Sequence, residues 1–222
     1  NLTSGVDLIR RTEGASVHAL GTPLITNSDG TKFGKSEGNA IWIDAALTSP
    51  YAFYQFWLNT DDADVIARIK IFTFLTRDEI AELEKLVAEE PFKRVAQKTL
   101  ASKVTSLVHG EKATDAVIAA SAALFGQGEL SELDGDTLRS AILELPNAEV
   151  AGGTLVAQAL VDTGLAKSLG DARRGIAQGG VSLNNERVAD ESAVVDESAA
   201  LAGGVAVLRR GKKTLAGLVF RA

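Results

Sequence analysis

Lys32-Phe33-Gly34-Lys35-Ser36 sets two ammonium groups three positions apart and ends on a hydroxyl, inside a polar, glycine-rich stretch running from Thr26 to Asn39. The stretch has neither a helical nor a strand period, which reads as a long exposed loop; loops of that length in compact proteins carry function or are disordered. Gly30, Gly34 and Gly38 make it deformable enough to close on a polyphosphate. Lysine is a compact point charge on a flexible stem, suited to following phosphate oxygens as charge builds on a departing pyrophosphate. Contacts formed only in the transition state would raise turnover without tightening ground-state binding, so loop mobility would belong to the mechanism. A P-loop needs four residues between its first glycine and Gly-Lys-Ser/Thr. Gly30 and Gly34 enclose three, and Ile41-Trp42-Ile43 follows where a P-loop would begin its helix. On five residues alone, a solvated loop without function remains open.

Other chemistries have few residues to work with. The 222-residue chain has no cysteine, which removes disulfides, thiolate zinc sites and cysteine nucleophiles. Its two histidines, His18 and His109, make a histidine-rich metal site improbable and read as packing or surface residues. Hydrophobic residues are 45% and charged ones 23%, the balance of a soluble globular protein and of a chain long enough for one to three compact units. No apolar run approaches a membrane span and the amino terminus lacks a signal-like core, so the expected location is cytoplasmic. The absence of methionine reads as a fragment of a longer protein.

The net charge of −6 argues against coating nucleic acid over the whole surface, but the distribution is uneven. Residues 153–222 carry nine Lys/Arg against seven Asp/Glu, a balance of +2, which leaves −8 for the rest. The basic residues of this end are candidate nucleic-acid contacts: Lys167, Arg173 and Arg174 in one group, and Arg209, Arg210, Lys212 and Lys213 in a second, since phosphate neutralisation needs several cations together.

The elements that must position these groups follow from periodicity and punctuation. Leu2 to Arg11 has helical spacing and ends near Gly14, while Val17 to Ile25, broken by Gly21 and Pro23, predicts strand and turn. Asp44 is expected to pin local structure. Ser49-Pro50 opens a helix whose Tyr51, Phe53, Tyr54, Phe56 and Trp57 are expected in a core rather than stacked on bases. Asp61 starts another helix, Thr76-Arg77-Asp78-Glu79 is a capping box, and amphipathic runs cover Pro91–His109 and Lys112–Phe125. Leu145 to Gly153 reads as a linker. Beyond it come a helix from Thr154 to Thr163, a second from Ser168 to Gly179-Gly180, and strands at Val181–Leu183, Val205–Arg209 and Leu215–Phe220, with turns at Asn184-Asn185 and Arg210-Gly211.

The lysine loop and its flanks resemble a known family. Lys32 to Ser36 is similar to the KMSKS signature of class I aminoacyl-tRNA synthetases, in the form found in bacterial tyrosyl-tRNA synthetases. Asn1-Leu2-Thr3-Ser4-Gly5, Pro23-Leu24-Ile25-Thr26, Asp29-Gly30-Thr31, Ile41-Trp42-Ile43-Asp44 and Ser49 to Trp57 resemble the same family. Leu165 to Ser168, Asp171 to Arg174 and Gly179 to Val188 resemble an RNA-binding module shared with a small-subunit ribosomal protein.

The resemblance implies residues 1–48 as the end of a Rossmann-type α/β catalytic domain, 49–146 as an all-α domain on the anticodon side of tRNA, and 153–222 as a small α+β RNA-binding domain. It implies ATP-dependent attachment of tyrosine to tRNA(Tyr) through tyrosyl-adenylate, with magnesium accompanying the ATP. Lys32 and Lys35 would stabilise the pyrophosphate with Ser36 assisting, and Leu24 and Ile25, with Lys35, would contact ATP. The HIGH signature, the tyrosine pocket and most of the dimer interface belong upstream, so this chain alone is expected to be inactive. A noncatalytic RNA-binding protein and the related tryptophan enzyme remain as alternatives.

Overall fold

The computed structural model describes residues 1–22, 24–28, 30–33, 41–211 and 214–221, arranged as two compact units, 1–40 and 41–222. In the first unit, α1 (Leu2–Glu13) ends at Gly14, whose left-handed backbone (φ 63°) suits a residue without a Cβ. The strand predicted over Val17 to Ile25 does not form among the described residues. The described residues there carry no strand assignment, and the pairing that does form is a single antiparallel bridge from Thr26 to Lys32, with the Phe33 amide bonded to the Ile25 carbonyl beside it. Glycine and proline in a short apolar run leave too few consecutive residues to pair.

The second unit opens with a turn held by Asp44, whose Oδ1 accepts from the Ala46 amide at 2.9 Å. Helix α2 (Pro50–Leu58) follows, with Ser49 Oγ accepting from the Ala52 amide and proline at the first turn. Tyr51, Phe53, Tyr54 and Trp57 are all at most 5% exposed and form core as expected, whereas Phe56 is half-buried. Trp57 meets Phe53, Phe56 and Phe72 edge-on or tilted, at centroid separations of 4.9–6.2 Å.

Helix α2 packs on α5 (Val95–His109), α6 (Glu111–Leu124) and α7 (Gly135–Leu143), while α3 (Asp62–Phe72) and α4 (Arg77–Glu89) pack against α5 and each other. The capping box forms: Glu79 Oε2 accepts from the Thr76 amide at 2.7 Å, and Thr76 Oγ1 from the Glu79 amide at 3.3 Å. The predicted helix from Pro91 is broken at Arg94, which adopts a left-handed conformation between a 3-10 turn and α5. Within the bundle, Arg68 is buried with Asp64 (3.1 Å) and Thr60.

The carboxy-terminal part is a five-stranded sheet of order β1-β7-β6-β3-β4, built from β1 (Asn147–Val150), β3 (Val181–Leu183), β4 (Glu186–Arg187), β6 (Val205–Arg210) and β7 (Thr214–Phe220). A two-stranded ribbon of β2 (Thr154–Leu155) and β5 (Val194–Val195) stands beside it. Strand β1 runs parallel to β7 and the other pairs are antiparallel. The stretch predicted as a linker therefore contains a strand, because β7, some seventy residues onward, supplies its partners.

One sheet face, carrying Val181, Ala206, Leu208 and Leu218, packs on α8 (Val156–Asp162) and α9 (Leu169–Ala177). The opposite face meets α7 at Gly217, where a Cβ would stand 2.9 Å from the Ile142 carbonyl oxygen. Arg139 of α7 also donates to the Gly203 carbonyl at 2.9 Å. The hairpin turn between β3 and β4 uses Asn184 and Asn185, both at positive φ (50° and 69°).

Candidate functional site

Two sets of cationic residues stand in the two units. In the first, the Thr26–Lys32 bridge is reinforced by the Phe33 amide donating to the Ile25 carbonyl at 3.1 Å and the Asn27 amide donating to the Thr31 carbonyl at 2.8 Å. Gly30, at φ 82°, turns the chain and donates to the Asn27 carbonyl. A short hairpin thus sets Thr26 opposite the exposed Lys32 and Ile25 opposite Phe33. Leu24 is 64% exposed. Lys35 and Ser36 lie outside the described residues, as do Lys212 and Lys213.

In the second unit the basic residues divide by element. Helix α9 is capped by Ser168, whose Oγ accepts from the Asp171 amide, and it buries Ala172, Gly175 and Ile176. That periodicity leaves Arg173 and Arg174 in solvent, with Lys167 exposed just ahead of the cap. Among the described residues none of these three side chains has an ion pair within salt-bridge distance.

Arg209 and Arg210, grouped together in the sequence analysis, point to opposite faces of the sheet. The strand runs one residue further than predicted, to Arg210, and successive side chains on a strand alternate. Arg210 lies on the α9 face. It donates twice to Asp171, at 2.8 Å from each nitrogen, and to the Leu165 carbonyl at 2.7 Å. The hydrogen bonds from Arg210, joined by the Lys167 amide, hold the Asp171 carboxyl well below its ordinary range, and the pairing raises the Arg210 guanidinium in return. Arg210 is thereby committed to fixing α9 on the sheet, which removes it from the set of freely available contacts.

Arg209 occupies the other face, its Nε donating to Ser182 Oγ at 3.2 Å. Register places Arg187, Ser182 and Arg209 in one row across β4, β3 and β6, so their side chains share that face. Arg187 was missed from sequence. The signal was present, since it follows the Asn184-Asn185 turn by two residues and must fold back beside Ser182, but the short strand β4 was not predicted. Two grooves meet here. One of about 930 Å³ runs between the sheet and the turn after α6, past Phe125, Gly126, Asn184, Asn185, Arg187 and Arg209. A smaller one of about 460 Å³ is lined by Gly179, Gly180, Val181, Ser182, Asn185, Arg187, Arg209 and Gly211.

His109 packs edge-on against Phe53 at 4.9 Å, and burial pushes its imidazole below the usual value, the mark of a packing residue. Among the described residues no cluster of three or more His, Asp or Glu side chains converges as a metal site. No helix among them is long and apolar enough to cross a membrane.

Comparison with known proteins gives two family matches: class I tRNA synthetases (W and Y) over residues 1–126, and the SYY-like C-terminal domain of tyrosine–tRNA ligase over residues 137–216. The tyrosine–tRNA ligase of Leifsonia xyli subsp. xyli is 69% identical over 219 residues, 98% of this chain and 49% of that protein. The tyrosine–tRNA ligase of Streptomyces griseus subsp. griseus is 55% identical over 97% of this chain and 51% of its own. A solved structure of a C-terminally truncated mitochondrial tyrosyl-tRNA synthetase from Aspergillus nidulans aligns with 36% of the chain and 23% of its own, at 42% identity and a TM-score of 0.35. The chain spans about half the length of the curated relatives it matches.

Proposed function

Because the chain belongs to the class I tRNA synthetases of the tryptophan and tyrosine group, we propose that within the intact protein it serves the ATP-dependent attachment of tyrosine to tRNA(Tyr). The tyrosine carboxylate attacks the α-phosphate of ATP, giving tyrosyl-adenylate and releasing pyrophosphate. A terminal ribose hydroxyl of the tRNA then attacks the acyl carbon and AMP leaves. Residues 1–48 complete a Rossmann-type catalytic domain, 49–146 lie on the anticodon side of the tRNA, and 153–222 form an RNA-binding module like that of a small-subunit ribosomal protein.

The supporting observation is the hairpin that sets Thr26 opposite Lys32 and Ile25 opposite Phe33, with Leu24 next along the same segment. An adenine ring against the apolar edge, read through backbone groups, leaves the triphosphate to run toward the lysine. Lys32 and Lys35 neutralise the charge growing on the leaving pyrophosphate while Ser36 donates a hydrogen bond. Magnesium arrives bound to the ATP phosphates as part of the substrate. The catalytic partners, the tyrosine pocket and most of a homodimer interface belong to the other half of the intact protein, which works in the cytoplasm. The match of residues 137–216 to the tyrosine-type terminal domain favours tyrosine over tryptophan.

The test is single-turnover adenylate formation by the full-length protein. Lys32→Ala and Lys35→Ala are each expected to slow the step by about 10²–10³-fold, the usual cost of one transition-state donor, with tyrosine affinity nearly unchanged. Unaltered activation rates in both variants would remove the loop from the mechanism.

A further inference from the structure

The smaller groove on the α7-side face of the sheet differs from the rest of this acidic chain. Among the described residues its lining includes Arg187 and Arg209 and no carboxylate, while the larger groove that shares both arginines is also lined by Glu129, Glu186 and Asp190. Neither guanidinium has an ion pair among the described residues, and Arg209 is oriented by its bond to Ser182 Oγ. The Arg187 guanidinium occupies the space that a Cβ on Gly179 would take, so the αL glycine at the end of α9 is what lets it lie flat against the backbone. Strand register places Arg187, Ser182 and Arg209 in one row, with Arg209 held through Ser182 and the exposed Arg187 lying over Gly179.

A second group in the same groove lacks a partner of the other kind. Asn185 donates its side-chain amide to the Ala123 carbonyl at 3.2 Å, and its Oδ1 is buried with no hydrogen bond among the described residues. A buried acceptor without a donor costs stability unless a ligand supplies one. The notch therefore combines two oriented cations with an orphaned acceptor. A ligand carrying both an anionic phosphate and a hydroxyl or amino donor satisfies all of them, and a nucleotide unit of RNA is such a ligand.

We infer that the Arg187–Ser182–Arg209 notch seats one phosphodiester of a bound RNA, with the adjoining ribose or base donating to Asn185 Oδ1. This rests on the RNA-binding reading of the carboxy-terminal part and adds to it a site on the sheet face opposite Arg210. Such a contact positions the RNA on the protein and carries little sequence information itself.

The experiment measures tRNA(Tyr) binding by the full-length protein across a salt series. One phosphate held by both arginines sets the expectation: the double variant flattens the log K against log salt slope by about 0.7–0.9 in total, and Arg187→Ala and Arg209→Ala each flatten it by less than that. Arg187→Lys with Arg209→Lys keeps the charges and is expected to restore most of the slope, and thermal melting checks that each variant folds. An unchanged slope in the double alanine variant, with tRNA binding otherwise intact, overturns the notch and leaves the RNA-binding reading standing. A double-variant change near twice the expected value overturns the single-phosphate seat. Absence of tRNA binding by the unaltered protein overturns both. Calorimetric titration with inorganic phosphate at matched ionic strength separates the sources. Phosphate binding lost in the double variant, together with an unchanged tRNA slope, would mark a free-anion site and overturn the RNA seat.

Discussion

Gly217→Ala probes the contact that joins the helical bundle to the sheet. The glycine sits in β7 between Asn147 of β1 and Val207 of β6, with Ile142 of α7 pressed across it. A methyl group there would stand 2.9 Å from the Ile142 carbonyl oxygen and closer still to the Ile142 side chain, which is fully buried. Neither can move without shifting α7 or β7. Overpacking of this kind costs about 1–3 kcal/mol, offset by roughly 0.4–1 kcal/mol because alanine restricts the unfolded chain. The net expectation is a loss of about 1–2 kcal/mol. At about 2–4 °C per kcal/mol for a chain of this size, thermal melting should fall by roughly 2–8 °C.

Ile142→Ala alone should cost about 2–5 kcal/mol, as expected for a large side chain removed from a closed core. Combined with Gly217→Ala, it removes the side-chain part of the clash but not the carbonyl part. The double variant should then be less destabilised than the two single losses together, with a coupling of about 0.5–3 kcal/mol. Urea and thermal denaturation of the four proteins measure this cycle. A Gly217→Ala protein as stable as the parent, or strict additivity, would refute close packing of α7 on the sheet.

The Asp171–Arg210 pair predicts acid sensitivity: a carboxyl whose folded pKa is depressed stabilises above its unfolded value near 3.9, and that stability is lost as pH falls below it. Asp171→Asn should lower melting at neutral pH and flatten the loss of stability below about pH 4; an unchanged acid limb would contradict the pairing. His109 works with the opposite charge, since a base whose folded pKa is depressed is charged more readily in the unfolded chain. Stability should therefore drop as pH falls below about 6.5, and His109→Phe should remove that component of a melting series taken between pH 7.5 and 5.5. Thr76→Ala should cost about 0.5–2 kcal/mol in urea denaturation through loss of the α4 cap, and Thr76→Ser should recover most of it.

What could be read from sequence was local. The capping box at Thr76, the proline-led start of α2, the αL turn at Asn184-Asn185 and the exposed face of α9 each depend on residues within a few positions of one another. Features decided by distant partners were not legible. Strand β1 lies in a stretch punctuated by Pro146 and Gly152-Gly153, and only its pairing with β7 makes it a strand. The run from Val17 has apolar residues suited to a strand, but among the described residues its pairing is confined to Ile25 and the Thr26 bridge.

The division of Arg209 from Arg210 was nearly available. Extending β6 by one residue turns an apparent basic cluster into one structural arginine and one exposed to a groove, because neighbours on a strand face opposite ways. Arg187 needed only the short return strand after the Asn184-Asn185 turn to be recognised beside Ser182. Of the lysine loop, Lys32 and the residues opposite it across the Thr26 bridge have a described geometry, and the proposed roles of Lys35 and Ser36 rest on the family signature.

ATP–pyrophosphate exchange by the full-length protein, with tyrosine, phenylalanine and tryptophan each offered separately, bears most directly on the proposed activity. Exchange with tyrosine is expected to exceed that with phenylalanine by about 10⁴–10⁵-fold, since a site that hydrogen-bonds the phenol hydroxyl leaves those groups unpaired against its deoxy analogue. Tryptophan should give none. Exchange driven by tryptophan, or absent with all three, would contradict the assignment.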